Sequence, residues 1–153
     1  NNQMDDFSAK PGVPNLYGLV GNEANAIAPN KRMLSSMTPT IVEQNGKLRM
    51  VVGTPGGSTI ITSVLQVLLN VEDFGMTMQQ AVDAPRFHHQ WLPDLIFIEK
   101  DGLDDLTIQQ LEQMGHTIKQ REPIGRVDAI LIRKDGKLEG GADKRGEDTA
   151  LGY

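Results

Sequence analysis

The feature that most constrains the fold is the stretch from Met50 to Thr59, in which an apolar, β-branched run meets Pro55-Gly56-Gly57. The run before the bend predicts a strand, and the apolar residues after it recur at helical spacing on one face. That helical set comprises Ile60, Ile61, Val64, Leu65, Leu68 and Leu69. Ser58 is the predicted N-cap of the helix. The sequence therefore predicts a strand that enters a helix through a glycine bend.

The glycine bend has the properties of an anion site. Gly56 and Gly57 carry no side chain to keep a ligand from the backbone, and the first N–H groups of a helix have no intrahelical acceptor. Such a turn favours an oxyanion or another anion. A plain tight turn between two core elements remains an alternative for the bend alone. Lysine does not follow the glycines as it would in a phosphate-binding loop, and the stretch is not a G-x-S-x-G nucleophile elbow.

The flanking segments predict a series of strands and helices. Asn45-Gly46 lies between apolar runs at 39–44 and 48–52, which predicts a hairpin, and Asp135-Gly136 predicts a second one between strands at 127–133 and 137–140. Helices are predicted from residue 58 to between 70 and 74, at 78–84 and at 104–114, with strands at 95–99 and 116–119. This order predicts an α+β fold, with an antiparallel-rich sheet and helices on one face.

Both ends of the chain lack regular periodicity. Residues 1–39 are rich in Pro, Gly and Asn and predict a long loop, which we expect to be ordered because it contains apolar anchors. These anchors are Phe7, Leu16, Tyr17, Leu19 and Val20. The charged tail at 143–148 is expected to turn back over the surface.

Composition limits the possible functions. A chain of 153 residues with 39% hydrophobic content predicts one domain covering residues 1–153. The net charge of −5, with both signs interspersed, argues against a nucleic-acid partner. The absence of cysteine from the sequence excludes disulfides, thiolate metal sites and a cysteine nucleophile. The most apolar stretch, 60–69, is too short to span a membrane.

The histidine pair His88-His89 does not have metal-ligand spacing. Adjacent residues on a strand point in different directions, and neither histidine has a partner four residues away. We therefore predict a packing or surface role for both histidines and no metal site.

Three segments follow one another along the chain: Asn-Asn-Gln-Met-Asp-Asp-Phe-Ser at 1–8, Lys-Arg-Met-Leu-Ser-Ser-Met-Thr-Pro at 31–39, and Gly-Thr-Pro-Gly-Gly-Ser at 53–58. Taken in this order, they resemble the C-terminal part of the small subunit of the γ-glutamyltranspeptidase family. The likeness continues through 84–93 and into the tail. It implies a four-layer αββα N-terminal nucleophile hydrolase fold, in which self-cleavage exposes a threonine. That threonine attacks γ-glutamyl amides such as glutathione, and the acyl group passes to water, an amino acid or a peptide.

The resemblance also implies roles for six residues. Gly56 and Gly57 would form the oxyanion hole, in agreement with the anion site argued from the bend. Ser35 and Ser36 would bind the substrate α-carboxylate through their hydroxyl groups. Gln3 and Asp6 would receive the α-ammonium group. No metal or organic cofactor is implied.

The resemblance places other essential parts of the enzyme outside this chain. The nucleophilic threonine and the large subunit, the expected partner, are not in these residues, and Asn1 has no hydroxyl to activate, so the chain alone should be inactive. Export to the periplasm or cell surface is a family expectation. One alternative is a cephalosporin acylase that cleaves a glutaryl group, although Gln3 and Asp6 argue against it because that substrate has no ammonium group. Another is a non-catalytic homologue that only binds its ligand.

Overall fold

The computed structural model describes residues 3–152, so the predictions for Asn1 lie outside the described part. Its elements in chain order are β1 (Thr40–Gln44), β2 (Lys47–Gly53), α1 (Ile60–Glu72), α2 (Met78–Asp83), β3 (Phe87–His88), β4 (Ile96–Ile98), α3 (Asp105–Gln113), β5 (Ile118–Gln120), β6 (Asp128–Ile132) and β7 (Leu138–Ala142). Short 3₁₀ helices occur at Met4–Asp6, Glu23–Asn25 and Gly57–Thr59. The predicted α+β class is confirmed.

The larger sheet has four antiparallel strands in the order β1-β2-β6-β7. Its first hairpin turns at Asn45 and Gly46, whose φ angles of 54° and 72° match the predicted two-residue turn. One face packs against α1 and α2, and the buried side chains of this core come mainly from β2, β6, α1 and α2. They include Met50, Val52, Ile60, Val64, Val67, Met78, Val82, Ala129 and Leu131. Both helices therefore lie on the same side of this sheet.

The opposite face of the larger sheet is apolar and uncovered over much of its area. Ile41, Val51 and Ile130 lie beside one another in the strand register and are all exposed. Leu138, two positions along the same face, is 71% exposed. An apolar face of this kind typically packs against another layer.

A smaller sheet contains three strands in the order β3-β4-β5. Strands β3 and β4 are antiparallel, whereas β4 and β5 are parallel and α3 connects them. The sequence predicted β4, α3 and β5 but not their separation from the larger sheet, because periodicity identifies elements and not their pairing. None of the helices between Gln3 and Gly152 combines the length and apolarity needed to cross a bilayer.

The predicted N-cap at Ser58 is wrong. A 3₁₀ turn covers Gly57–Thr59, and α1 follows from Ile60 with Thr59 as its cap residue. The turn begins earlier than predicted because Gly57 adopts a φ of 59°, so Ser58 lies inside the first helical turn. The predicted end of the helix before Gly75 is confirmed, since α1 ends at Glu72 and Gly75 has a φ of 66°.

The predicted surface position of the charged tail is also wrong for two of its residues, whereas Lys144 and Glu147 are exposed. Asp143 is completely buried, and the side chain of Arg145 is only 6% exposed. Asp143 accepts hydrogen bonds from Arg86 Nη2 at 2.7 Å and from Arg145 Nη1 at 2.9 Å. Glu99 accepts from Arg145 Nε at 2.7 Å and from the backbone N–H of Arg86 at 2.9 Å. These four residues, Arg86, Glu99, Asp143 and Arg145, form what we call the ion cluster.

The ion cluster also satisfies backbone groups around it. Arg86 donates to the carbonyls of Val82 and Ile124 at 2.6 and 2.7 Å. The Asp143 carboxylate accepts from the N–H of Val127 at 2.7 Å. Burial raises the pKa of Asp143, but the hydrogen bonds donated by Val127, Arg145 and Arg86 outweigh burial, so the pKa is lowered overall. The carboxylate is therefore stabilised in its charged form.

Removing one member of the ion cluster should destabilise the fold. Asp143→Ala leaves the buried Arg86 guanidinium without its carboxylate, and breaking a buried pair in this way costs about 3–5 kcal/mol. Urea unfolding of the protein measures the change in the free energy of unfolding. Asp94→Ala is the matched control, because Asp94 pairs with His89 at the surface and should contribute less than about 1 kcal/mol. Equal effects of the two substitutions would contradict the assignment.

The ion cluster should also make the fold sensitive to acid. Burial raises the pKa of Glu99, but hydrogen bonds from Arg145, Ile124 and Arg86 lower it overall. A carboxylate with a lowered folded pKa gives stability above its unfolded pKa, which is about 4.3, and loses that stability as the pH falls through the folded pKa. Between pH 5 and pH 3, Glu99→Gln should therefore reduce the slope of the unfolding free energy against pH. Glu112→Gln, on the exposed surface of α3, is the control for the charge change.

Candidate functional site

The bend between β2 and α1 has the backbone conformation that the anion-site hypothesis requires. Gly56 has a φ of 143° and Gly57 a φ of 59°, a region that L side chains rarely adopt. Within residues 3–152, the N–H groups of Gly56 and Gly57 donate no hydrogen bond to the protein. The two N–H groups precede a continuous helical segment, whose dipole favours negative charge at this end. The bend can therefore stabilise an oxyanion.

Neighbouring segments hold the bend in place. Thr54 Oγ1 accepts from the N–H of Arg126 at 2.8 Å and donates to the carbonyl of Pro55 at 2.7 Å. Thr59 Oγ1 donates to the carbonyl of Gly56 at 2.9 Å. A Cβ atom on Gly56 would lie 2.7 Å from Thr59 Oγ1, so a side chain does not fit there. The conformation of the bend is thus set by tertiary contacts as well as by its glycines.

The aromatic ring of Tyr17 lies directly against Gly57. A Cβ atom on Gly57 would be 2.6 Å from Tyr17 Cζ and 2.7 Å from its Cδ1. The sequence identified Tyr17 only as an apolar anchor of the first loop, and the contact with the bend was missed. Because Tyr17 and Gly57 are far apart in the chain, periodicity and spacing contain no signal for this contact.

A chain of side-chain hydrogen bonds positions the loop that carries Tyr17. Gln90 Nε2 donates to the carbonyls of Tyr17 and Leu92 at 2.8 and 2.9 Å, so its Oε1 faces His88 Nε2 at 2.9 Å. His88 Nε2 must therefore carry the proton, and Nδ1 lies 2.8 Å from Thr62 Oγ1 on α1. Burial lowers the pKa of His88, which favours the neutral ring with Nδ1 as acceptor.

His88 and His89 each contact other side chains of the protein. His88 is buried in the network described above, whereas His89 is more exposed and its Nε2 lies 2.9 Å from Asp94 Oδ1. Within residues 3–152, no group of three or more His, Cys, Asp or Glu residues could hold a metal ion.

Gln3 and Asp6 lie at the two ends of the first 3₁₀ turn. The backbone N–H of Gln3 donates to Asp6 Oδ2 at 2.9 Å, and the N–H of Asp6 donates to the carbonyl of Gln3 at 3.1 Å. Gln3 is exposed and Asp6 is half-buried. One carboxylate oxygen of Asp6 thus orders the turn, and within residues 3–152 the other, Oδ1, accepts no hydrogen bond and can receive an ammonium ligand.

Ser35 and Ser36 lie in the irregular segment before β1. Ser35 Oγ accepts from the N–H of Met37 at 3.3 Å, which leaves its hydroxyl proton for another acceptor. The carbonyl of Ser36 accepts from Thr38 Oγ1 at 2.9 Å. The Ser35 hydroxyl can therefore donate to a carboxylate, and a serine hydroxyl at position 36 has the same capacity.

The structure connects these candidate residues through others. Within residues 3–152, no hydrogen bond joins Ser35 or Ser36 to Gln3 or Asp6. Asn25 provides the link, because its side chain contacts both Asp6 and Leu34, the residue before Ser35. The sequence alone does not indicate that Asn25 links these segments, since an asparagine in a loop is not distinctive by itself.

A separate cavity of about 500 Å³ lies beside the ion cluster. Its lining includes Asp83, Glu99, Lys100, Arg121 and Arg145, with none of the six candidate residues. Among the six candidate residues, Gln3, Ser35 and Gly56 are exposed, and the other three are partly exposed. A substrate bound there would need further protein groups to enclose it.

The family model of γ-glutamyltranspeptidase matches residues 1–153 of the chain. A glutathione hydrolase proenzyme of Escherichia coli (strain K12) is 54% identical over all of this chain, which corresponds to 26% of that protein. This chain therefore spans about a quarter of the length of that relative. The chain therefore belongs to the γ-glutamyltranspeptidase family, the family that the sequence motifs resemble.

Solved structures agree with this membership. The T380A mutant of the γ-glutamyltranspeptidase from Helicobacter pylori superimposes with a TM-score of 0.89 at 54% identity, over 95% of this chain and 80% of that one. A cephalosporin acylase from Bacillus halodurans is also similar, with a TM-score of 0.73 at 28% identity over 84% of this chain and 25% of that one. The similarity is thus strong for the transpeptidase and weaker for the acylase.

Proposed function

We propose that residues 1–153 are a single domain, the C-terminal portion of the small subunit of a γ-glutamyltranspeptidase. The complete protein would transfer and hydrolyse the γ-glutamyl group of glutathione and other γ-glutamyl amides. The observation that carries this proposal is the pair of N–H groups at Gly56 and Gly57, which donate to no group within residues 3–152 and lie at the start of a helix in a chain of this family. This chain would supply that oxyanion hole and the substrate-binding residues, and it would be inactive alone.

The proposed reaction is nucleophilic catalysis in two steps. A threonine outside this chain attacks the γ-carbonyl carbon, with its own α-amine accepting the hydroxyl proton. The carbonyl oxygen becomes an oxyanion that accepts hydrogen bonds from Gly56 and Gly57, and removing one such donor typically costs about 3–4 kcal/mol. The amine leaves with a proton, and water or an acceptor amine then attacks the acyl-enzyme. The threonine hydroxyl is regenerated and the γ-glutamyl group is released.

The remaining candidate residues would recognise the α-amino acid end of the substrate. The Asp6 carboxylate and the Gln3 amide oxygen can accept from an ammonium group, and a charge-assisted bond is roughly twice as strong as a neutral one. Ser35 and Ser36 can donate to the α-carboxylate. The substrate would thus be held at both charged groups while its γ-carbonyl reaches the glycine bend.

The large subunit of the same precursor is the proposed partner. The uncovered apolar face of the larger sheet, with Ile41, Val51, Ile130 and Leu138, fits a second protein layer. Helix α1 also exposes Ile61 and Leu65 on the side away from the core. We further propose that the complete protein acts in the periplasm or outside the cell, as the family resemblance implies.

The alternative substrate class is a glutaryl amide, as for an acylase. The similarity to the Bacillus halodurans cephalosporin acylase keeps this alternative open. A glutaryl group has no α-ammonium, so the Asp6 carboxylate would have no positively charged partner on the substrate. The presence of Asp6 therefore favours the γ-glutamyl class. A non-catalytic homologue that only binds its ligand is a further alternative.

The decisive experiment compares release of anilide from γ-glutamyl and glutaryl anilides by the full-length protein after self-cleavage. A strong preference for γ-glutamyl anilide is expected. Equal or reversed preference would indicate acylase specificity, and no release from either substrate would support a non-catalytic homologue.

Asp6→Ala should weaken recognition of the γ-glutamyl group. We expect kcat/KM for γ-glutamyl anilide to fall at least tenfold, because a hydrogen bond to a charged group contributes about 1.5–3 kcal/mol. Self-cleavage should be retained. Asp5→Ala is the matched control, since Asp5 is an exposed carboxylate in the same 3₁₀ turn. An unchanged kcat/KM for Asp6→Ala would refute the assignment.

Gly57→Ala should lower kcat by about 100-fold or more, as expected when an oxyanion donor is displaced. The added Cβ would collide with the ring of Tyr17, and the positive φ would be strained. Gly46→Ala is the control, because Gly46 has a similar φ of 72° but no atom within 4 Å of an added Cβ. Steady-state kinetics of both variants in the full-length protein test this, and wild-type turnover by Gly57→Ala would remove the oxyanion argument.

A further inference from the structure

Asn25 is a buried residue in the middle of the first loop. It is 8% exposed and ends the short 3₁₀ helix Glu23–Asn25. Its side-chain Nδ2 donates to the carbonyl of Asp6 at 2.8 Å, and its Oδ1 accepts from the N–H of Leu34 at 3.0 Å. One amide therefore joins the segment of Asp6 to the segment of Ser35, which are far apart in the chain.

Backbone bonds hold Asn25 itself in place. Its carbonyl accepts from the N–H of Ser8 at 2.9 Å, and its N–H donates to the carbonyl of Asn22 at 3.1 Å. Ser8 and Ala26 also form an isolated parallel bridge. The residue is thus fixed by its main chain, and its side chain transmits that position to the two neighbouring segments.

The two contacts require a side chain that both donates and accepts a hydrogen bond. The carbonyl of Asp6 can only accept and the N–H of Leu34 can only donate, so the group between them must do both. Asparagine presents a donor and an acceptor at fixed spacing on a short side chain. An aspartate of the same shape would keep the bond to Leu34 but would place a carboxylate oxygen against the carbonyl of Asp6.

We propose that Asn25 is a positioning residue for substrate selectivity. It sets the distance between the group that receives the α-ammonium, Asp6, and the groups that receive the α-carboxylate, Ser35 and Ser36. This inference rests on the proposed function of those residues. An α-amino acid carries both charges on one carbon, so their separation is fixed and the protein groups must match it.

Substitution of Asn25 should weaken substrate binding and leave stabilisation of the oxyanion largely unchanged. Asn25 contacts the two segments that carry the proposed ammonium-binding and carboxylate-binding residues. The glycine bend is instead held by Thr54, Thr59 and Tyr17. In Asn25→Ala the main-chain bonds of Ser8 still hold the Asp6 segment to residues 25 and 26, and only the side-chain bonds to Asp6 and Leu34 are lost. The spacing of the two segments should therefore loosen without displacing Gly56 or Gly57. Small misplacements of binding groups are sufficient to weaken recognition of a rigid ligand.

The test uses the full-length protein after self-cleavage, with γ-glutamyl and glutaryl anilides as paired substrates. For Asn25→Ala we expect KM for γ-glutamyl anilide to rise about tenfold, with kcat changed much less, because the side-chain bonds to the carbonyl of Asp6 and the N–H of Leu34 are both lost. The preference for γ-glutamyl over glutaryl anilide should fall by a similar factor. Partial unfolding would lower both activities equally and would leave this preference unchanged.

Two further variants sharpen the result. Asn22→Ala is the matched control, because the Asn22 side chain caps the same 3₁₀ helix through the N–H of Ala24 at 2.9 Å and does not bridge to Asp6 or Leu34. It should retain the substrate preference. Asn25→Asp preserves the shape of the side chain and the bond to Leu34, and this variant replaces Asn25→Ala in the test if Asn25→Ala does not fold. Asn25→Asp should also lower the preference for γ-glutamyl over glutaryl anilide.

The outcomes separate this inference from the proposed function. If Asp6→Ala abolishes the preference but both foldable Asn25 variants retain it, the role of Asn25 is refuted and the proposed site stands. If Asp6→Ala itself leaves the preference unchanged, the proposed site fails, and the inference fails with it. Loss of the preference in Asn25→Asp with retention in Asn22→Ala would support the positioning role.

Discussion

The ion cluster is the interaction on which most of the structure depends, because it joins the two sheets. Arg86 precedes β3 and Glu99 follows β4 in the smaller sheet, whereas Asp143 follows β7 in the larger one. Arg145 bonds to both carboxylates. Four charges can be buried here because each has an opposite partner and further hydrogen bonds to backbone groups.

The same cluster extends to the glycine bend. Glu99 accepts from the N–H of Ile124, and Asp143 accepts from the N–H of Val127, so the segment between these residues is fastened at both ends. Within that segment, the N–H of Arg126 donates to Thr54 beside the bend. The candidate oxyanion site is therefore supported by charges far from it in the chain.

The first loop shows how a segment without a strand ladder can still present a site. Its backbone groups are satisfied by asparagine side chains, with Asn15, Asn22 and Asn25 each bonded to main-chain atoms. Two contacts then give the loop its place: Asn25 connects Asp6 with Leu34, and Tyr17 packs against Gly57. A rigid scaffold thus carries loops that hold the candidate binding groups.

The sequence by itself determined most of the elements, although not β3, and indicated the family. Asn45-Gly46 specified a hairpin because this pair tolerates positive φ, and the run from Met50 through the glycines specified a strand followed by a helix. Family motifs named six candidate site residues, which remain predictions. Tertiary structure alone decided that Asp143 and the side chain of Arg145 in the tail are buried, that the strands form two sheets, and that Asn25 and Tyr17 join the candidate segments. The physical reason is that periodicity and turn chemistry are local, whereas the partners of Arg86, Asn25 and Gly57 are brought together only when distant segments pack.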